Sequence, residues 1–400
     1  MGSISGNPLG KAVIGQSGGP TAVINQSLVA VIKGLRGHSE ISGILGMRHG
    51  VRGLVNDQLI PLEGLHDGHL STIAATPSAA LGSTRDKPDA DYCNRIFAAC
   101  ERHRIHYFFY IGGNDSSDTC RIVNEMAHEA NYELRCFHIP KTIDNDLPQS
   151  DHTPGYPSAA KFVAQAFMGD NLDNRAIPGV KINIVMGRNA GWLTAAAALA
   201  RKFEGDGPHL IYLPEVPFSE EQFAQDVDEM VTRHGRCLIA ASEGIRDASG
   251  TLLASKIQKS LETDAHGNVQ LSGTGALGDY LAALVKANVP KVRVRADTFG
   301  YLQRSFCGVT SEIDEFEARS CGYAAAHLAM SGDLDGSLAI RRLSSKPYES
   351  MVERIELTDV AALTRTMPAE FLNGHRDVSR EFVNYLRPLV GKLPVVGYLY

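Results

Sequence analysis

The sequence predicts an α/β protein of two domains, each built on a parallel sheet. Three observations lead there. The chain has 400 residues, beyond the size at which a single core usually keeps growing. Short apolar runs alternate with segments of helical period along most of its length. Several of those runs end in Gly-rich polar turns, as strands of an open parallel sheet do where their carboxyl ends open onto a ligand crevice. A hydrophobic share of 44% and 39 glycines suit a large-cored enzyme with closely approached loops.

Residues 11–14 (Lys11-Ala12-Val13-Ile14) read as a short buried strand. The turn Gly15-Gln16-Ser17-Gly18-Gly19-Pro20-Thr21 follows, then a helix with apolar positions Ile24, Leu28, Ile32 and Leu35. Backbone N–H groups at such a helix start attract anions, and glycine lets a phosphate come close. The same turn also serves as a plain connection, and both readings stand. A strand over 41–45 and a glycine-interrupted region lead to Leu81-Gly82-Ser83-Thr84-Arg85-Asp86-Lys87, whose Arg85 and Lys87 are either phosphate ligands or solvated charges.

A helix over about 89–103 leads into a strongly apolar strand, 106–111, which meets Gly112-Gly113-Asn114-Asp115-Ser116 before a helix running to about Ala130. The next strand, 134–139, delivers Pro140-Lys141-Thr142-Ile143-Asp144-Asn145-Asp146. On extended backbone, Asp144 and Asp146 point to one side. One carboxylate to take a proton, one to hold Mg²⁺ and an ammonium for phosphate oxygens together suit phosphoryl transfer. The other reading is a solvated turn, since Asn and Asp are ordinary turn residues.

The second half repeats the alternation: helix 157–172, strand 181–186, an alanine-rich helix after Gly191, strand 209–213, helix 220–234 and strand 237–241. Residues 247–270 read as polar loop. A helix over 273–288, a strand over 291–295 and a helix over 311–330 follow. Beyond Gly332 the pattern weakens, and a helix near 379–386 is the clearest remaining element.

Composition removes several function classes. A net charge of −6 offers no general attraction to nucleic acid or an anionic membrane, so an anionic substrate needs a local basic site. No apolar run reaches membrane-spanning length, and residues 1–6 match neither a leader nor an acylation signal, so a cytoplasmic location is expected. The seven cysteines form no CxxC pair and read as reduced core thiols. Gly273-Thr274-Gly275-Ala276-Leu277-Gly278 fits the dinucleotide-binding GxGxxG pattern with Asp297 downstream, but the preceding 268–271 is a thin strand for such a unit.

Taken in order, segments 15–21, 81–85, 111–116, 140–146, 186–192, 241–244 and 300–305 resemble the phosphofructokinase family, specifically its pyrophosphate-dependent branch, from Lys11 to about Met330. The resemblance implies two Rossmann-like α/β domains with the active site in the cleft between them. A donor domain would comprise 1–155 plus about 265–300, a sugar-phosphate domain 156–264 plus about 301–335, and a C-terminal appendage 336–400. It implies transfer of a phosphoryl group from pyrophosphate to the 1-hydroxyl of fructose 6-phosphate with Mg²⁺ as cofactor, the alternative being an ATP-dependent enzyme.

Carried over, Asp144 matches the general base, Thr142 a group that positions the transferring atoms, and both lie against substrate. Lys141 joins the catalytic set. Gly18 and Arg85 match donor-side or transition-state phosphate ligands, and Asp146, with Asn114 in place of a family Asp, matches the region of Mg²⁺ and the transferring phosphoryl group. Met186, Gly187 and Arg188 match the sugar-contacting segment, Glu243 an acceptor for sugar hydroxyls, and Tyr301 (a His in ATP-using members) and Arg304 ligands of the 6-phosphate. Arg295 matches an arginine that reaches a neighbouring subunit's substrate, which implies a homodimer or homotetramer. Where a second such arginine stands in the family this chain has Gly179, with Lys181 or Arg175 as candidate substitutes. ATP-using members have Gly at the positions of Asp115 and Lys141. A carboxylate at Asp115 opposes a nucleotide by bulk and charge, and Lys141 supplies contacts to pyrophosphate.

Overall fold

In a computed structural model, which describes residues 7–257, 275–333 and 335–399, the first apolar run forms strand β1 (Gly10–Gln16). Helix α1 (Ile24–Leu35), β2 (Ile41–Met47), α2 (Val51–Val55), β3 (Leu59–Pro61), α3 (Asp67–Ala75), α4 (Ala90–His103), β4 (Ile105–Gly112), α5 (Asn114–Glu129) and β5 (Arg135–Pro140) follow. The chain continues through α6 (Tyr156–Ala176), β6 (Val180–Val185), α7 (Trp192–Ala195), β7 (Leu210–Tyr212), α8 (Glu220–His234), β8 (Cys237–Ser242), α9 (Leu253–Ile257), α10 (Ala276–Asn288) and β9 (Val294–Thr298). Last come α11 (Glu312–Ser331), β10 (Asp335–Ser345), β11 (Tyr348–Ile355) and α12 (Arg380–Val390).

These elements form two units, Met1–Gly155 with Glu312–Thr364, and Tyr156–Ser311 with Arg365–Tyr400. The first carries a seven-stranded sheet in the order β11-β10-β5-β4-β1-β2-β3. Its inner strands are parallel, and β3 and β11 close the two edges antiparallel. Because side chains alternate along a strand, Ala12 and Ile14 of β1 join one core with α1 and α11, while Val13 joins another with α4 and α5. Helices therefore cover both faces, as a parallel sheet requires. The second unit has the all-parallel order β7-β8-β6-β9 around its own core.

Local signals account for several element ends. Asp89 caps α4 by accepting from the Tyr92 N–H at 2.8 Å, and Gly235 ends α8 at φ 68°. Strand β9 starts three residues later than the sequence predicts, at Val294 rather than Lys291, because Lys291 turns the chain at φ 61°.

Three expectations are corrected. Residues 276–298 belong with the second unit, not the donor domain, because β9 pairs with β6. Helix α11 belongs with the first unit, where it packs on α1, and Gly322 lets it approach closely: a Cβ there would lie 2.4 Å from the Ser27 carbonyl oxygen. The stretch from 336 is no appendage, since β10 pairs parallel with β5 and residues 365–400 join the second unit. Cys307 is exposed, and the other six cysteines are buried free thiols. Residues 1–6, the 268–271 strand and Gly273-Thr274 of the GxGxxG segment lie outside the described residues. Among the described residues no helix is long and apolar enough to cross a membrane.

Candidate active site

In the first unit β1 lies between β2 and β4, so the chain winds away from it in both directions. The resulting switch point at the carboxyl ends of β1 and β4 is where an open α/β sheet has its crevice. Two hydrogen bonds tie these ends together: the Ser17 N–H donates to the Ile111 carbonyl at 2.9 Å, and the Ser17 and Ser116 hydroxyls meet at 2.7 Å. The neighbouring loop joins through Gly18 N–H to Thr84 O at 2.9 Å and Ser83 Oγ to Gly18 O at 2.6 Å.

Lys141, at the end of β5, is 3% exposed and donates from Nζ to the Gly19 carbonyl at 2.8 Å. A Cβ on Gly18, whose φ is +75°, would lie 3.0 Å from that Nζ, so the turn is glycine where the ammonium lies against it. Asp115, in the first turn of α5, pairs with Lys87 at 3.2 Å. Asn114 donates from Nδ2 to Leu363 O at 2.6 Å and Thr364 Oγ1 at 2.9 Å. Since a carbonyl oxygen only accepts, this bond fixes the amide orientation and leaves Oδ1 as the atom to meet a cation. Thus Gly18, the loop of Arg85, Asn114, Asp115 and Lys141 gather at one set of strand ends.

The 140–146 loop is not regular extended backbone: Asn145 takes φ 56°. Burial nevertheless alternates, with Ile143 (6%), Asn145 (0%) and Leu147 (1%) inward and Thr142, Asp144 and Asp146 partly exposed. The inward Asn145 side chain accepts from the Thr153 N–H at 3.1 Å, and the Thr153 hydroxyl donates to the Thr142 carbonyl at 3.0 Å. The Thr142 hydroxyl accepts from the Asp144 N–H at 3.0 Å, which ties these two residues to each other.

Two buried histidines missing from the sequence reading brace this region. His138 on β5 lies between the Ser337 hydroxyl (2.7 Å, Nδ1) and the Gly112 carbonyl (2.9 Å, Nε2). Burial, with a smaller push from Lys141, lowers its pKa to about 4. It is therefore neutral at pH 7, with the proton on Nε2, since Gly112 O can only accept. His152 contacts Asp151 (2.8 Å) and Glu317 (2.5 Å). Burial acts to lower its pKa, but the Glu317 charge and the bonds to both carboxylates outweigh it and raise the value to about 9. The Ser350 hydroxyl donates to Glu317 at 2.6 Å and Tyr348 does so as well, so the β10–β11 hairpin supports this ion pair.

In the second unit the carboxyl ends of β6, β8 and β9 converge. Met186 N–H donates to Gln303 Oε1 at 3.3 Å, Phe299 N–H to Ile184 O at 3.0 Å, and Ser242 Oγ to Gly187 O at 2.6 Å. A Cβ on Gly244 would lie 2.2 Å from the Arg188 carbonyl oxygen, so the two loops touch backbone to backbone. Met186, Gly187, Arg188, Glu243, Tyr301 and Arg304 are thereby grouped, with the Arg304 guanidinium 4.6 Å from the Tyr301 ring centre. Arg295 is not among them. It is exposed on edge strand β9, opposite Lys181 in register. Lys181 pairs with Asp297, and the Arg175 guanidinium stacks 3.9 Å from the Tyr398 ring centre. An arginine at Gly179 is barred, because even a Cβ would come within 2.6 Å of the Arg293 carbonyl oxygen.

For a divalent metal, the first unit offers hard oxygen donors, the Asp146 carboxylate and Asn114 Oδ1. Among the described residues no cluster of three His, Cys, Asp or Glu forms a closed cage. That donor set fits Mg²⁺, which keeps waters and takes substrate phosphate oxygens.

A strand-end crevice with a buried lysine, partly exposed carboxylates and glycine turns defines a class, the α/β enzymes of phosphoryl transfer. The chain belongs to the phosphofructokinase family, whose profile matches residues 11–329. It is 56% identical to a pyrophosphate-fructose 6-phosphate 1-phosphotransferase of Rhodospirillum rubrum over 96% of this chain and 95% of that one. A protein of the same description from Halomonas elongata is 36% identical, over 95% and 91%. The crystal structure of a pyrophosphate-dependent phosphofructokinase from Nitrosospira multiformis superposes with a TM-score of 0.86 at 32% identity, covering 98% of this chain and 94% of that one.

Proposed function

We propose that this chain moves a phosphoryl group from pyrophosphate to the 1-hydroxyl of fructose 6-phosphate, giving fructose 1,6-bisphosphate and phosphate, in either direction. The observation that carries the choice of donor is the pairing of a buried Lys141 against Gly18-Gly19 with a carboxylate, Asp115, in the first turn of α5. An ammonium fixed there neutralises a compact polyanion, and Asp115 takes up the room a nucleoside phosphate needs. The relatives named for pyrophosphate and fructose 6-phosphate support the same reading.

In this reading the first unit holds the donor through Gly18, Arg85 and Lys141, with Asp115 lining the donor site and limiting its size. Asp144 takes the proton of the attacking hydroxyl, and Thr142 orients it. The second unit holds the sugar phosphate through Met186, Gly187, Arg188, Glu243, Tyr301 and Arg304. Mg²⁺, bound by Asp146, Asn114 and donor oxygens, would supply charge neutralisation on the transferring group. Catalysis is then mainly positioning and electrostatics. Arg295, exposed on an edge strand, serves a neighbouring subunit in a homodimer or homotetramer, and Lys181 beside it is the better of the two candidates for the missing second arginine. A cytoplasmic enzyme agrees with the free thiols.

The test is bisphosphate formation by purified protein with fructose 6-phosphate, Mg²⁺ and either pyrophosphate or ATP. Turnover with pyrophosphate and little with ATP is expected. Activity with ATP alone would refute the donor argument, and sedimentation of the same sample reads the oligomer.

A further inference from the structure

A carboxylate beside a polyanion raises an electrostatic difficulty. Asp115 can exclude a nucleoside by bulk, but its charge repels pyrophosphate as well, and the first turn of α5 offsets that charge only in part. Lys87 stands 3.2 Å from its Oδ1. The placement of Lys87 is built. The adjacent Asp86 carboxylate accepts from Arg52 Nε at 3.0 Å and from the Tyr92 hydroxyl at 2.8 Å, while its N–H donates to Thr84 Oγ1 at 3.1 Å. The Arg52 bond is the largest cause of a lowered Asp86 pKa, so this anchor stays ionised. Thr84 is in turn bonded to Gly18 of the donor turn. The loop that carries Lys87 is thus fixed both to the β1 turn and to the helix behind it.

We propose that Lys87 is a specificity-determining residue that cancels the charge of Asp115, so that Asp115 rejects nucleotides by shape without repelling pyrophosphate. The inference rests on the reading that places Asp115 beside the donor. Both side chains are about half exposed, 57% and 52%, so the pair contributes little to the free protein. Its effect arises when a multiply charged donor arrives and an uncancelled carboxylate would act on every phosphate charge at once.

A double-mutant cycle tests it, with Asp115→Asn keeping the bulk and removing the charge. Lys87→Met alone should raise KM for pyrophosphate about tenfold, an order-of-magnitude expectation from charge interactions over a few ångströms, and should change kcat much less. In the Asp115→Asn background the same substitution should change KM by less than about twofold, and Lys87→Arg should behave like the parent. An equal tenfold rise in both backgrounds would make Lys87 a direct phosphate ligand and overturn the proposal. No change in either background would overturn it too, while pyrophosphate-dependent turnover of the parent would still uphold the reaction. Unchanged thermal unfolding of each variant shows that folding is not the cause.

Discussion

The strand ends of the two units are built by different means. In the first, charged and polar side chains do the fixing: Lys141 holds Gly19, Lys87 holds Asp115, Arg52 holds Asp86, and buried His138 spans Gly112 and Ser337. In the second, uncharged Gln303 and Ser242 join loops whose backbones touch, with Gly187 and Gly244 placed where a Cβ would strike a carbonyl 2.6 Å or less away. The difference matches the ligands proposed for them. A polyanion is held by charge, which tolerates small shifts, whereas a sugar is recognised by shape, which does not.

The largest expected effect tests the charged side. Asp144→Ala should lower turnover by at least about 10²-fold, or roughly 2.7 kcal/mol, with KM for both substrates little changed. Near-parental turnover would remove Asp144 as the base. The shape side is tested by Gly244→Ala, which should destabilise the protein by about 1 to 3 kcal/mol and raise KM for fructose 6-phosphate more than KM for pyrophosphate. Thermal unfolding and initial rates read the two effects, and equal changes in both KM values would erase the contrast between the units.

A third prediction concerns pH. His152, raised from 6.5 to about 9, contributes stability that is complete below pH 6.5 and lost as pH rises through 9. His138, lowered from 6.5 to about 4, acts in the other direction, costing stability as pH falls from 6.5 toward 4. Denaturant unfolding should therefore show a loss of roughly 1 to 3 kcal/mol between pH 6.5 and 9 that His152→Gln flattens. A slope unchanged in that variant would assign the loss elsewhere. The smallest effect expected is a gain: Asp115→Gly with Lys141→Gly should acquire measurable ATP use. If ATP remains unused, other residues also keep the nucleotide out.

What the sequence made legible was contiguous. The strands ending at Gln16, Gly112 and Pro140 each hold a short, mainly apolar run followed by a glycine or charged turn, so both the elements and their loops could be read. The β10–β11 hairpin could not. Its buried Leu338 and Ile340 are followed by Arg341 and Arg342, and only its first residues pair with β5, so no sustained alternation marks it. The buried histidines were equally hidden, because each has a deciding partner far along the chain: Ser337 is 199 residues from His138 and Glu317 is 165 from His152. Nothing local distinguishes such a histidine from a surface one. Domain boundaries failed for the same reason, since α11 and β10 join the first unit through contacts that sequence order conceals.

That return of the chain bears on synthesis at the ribosome. When residues up to 155 have emerged, β5 is still an open edge, and its neighbour β10 starts only at Asp335. For the time needed to make residues 156–334, the sheet of the first unit offers unpaired backbone groups to any other strand nearby. The seven-stranded sheet is therefore completed only once β10 and β11 have been made, and a chain halted at the end of α11 would be expected to aggregate rather than to fold as a smaller enzyme.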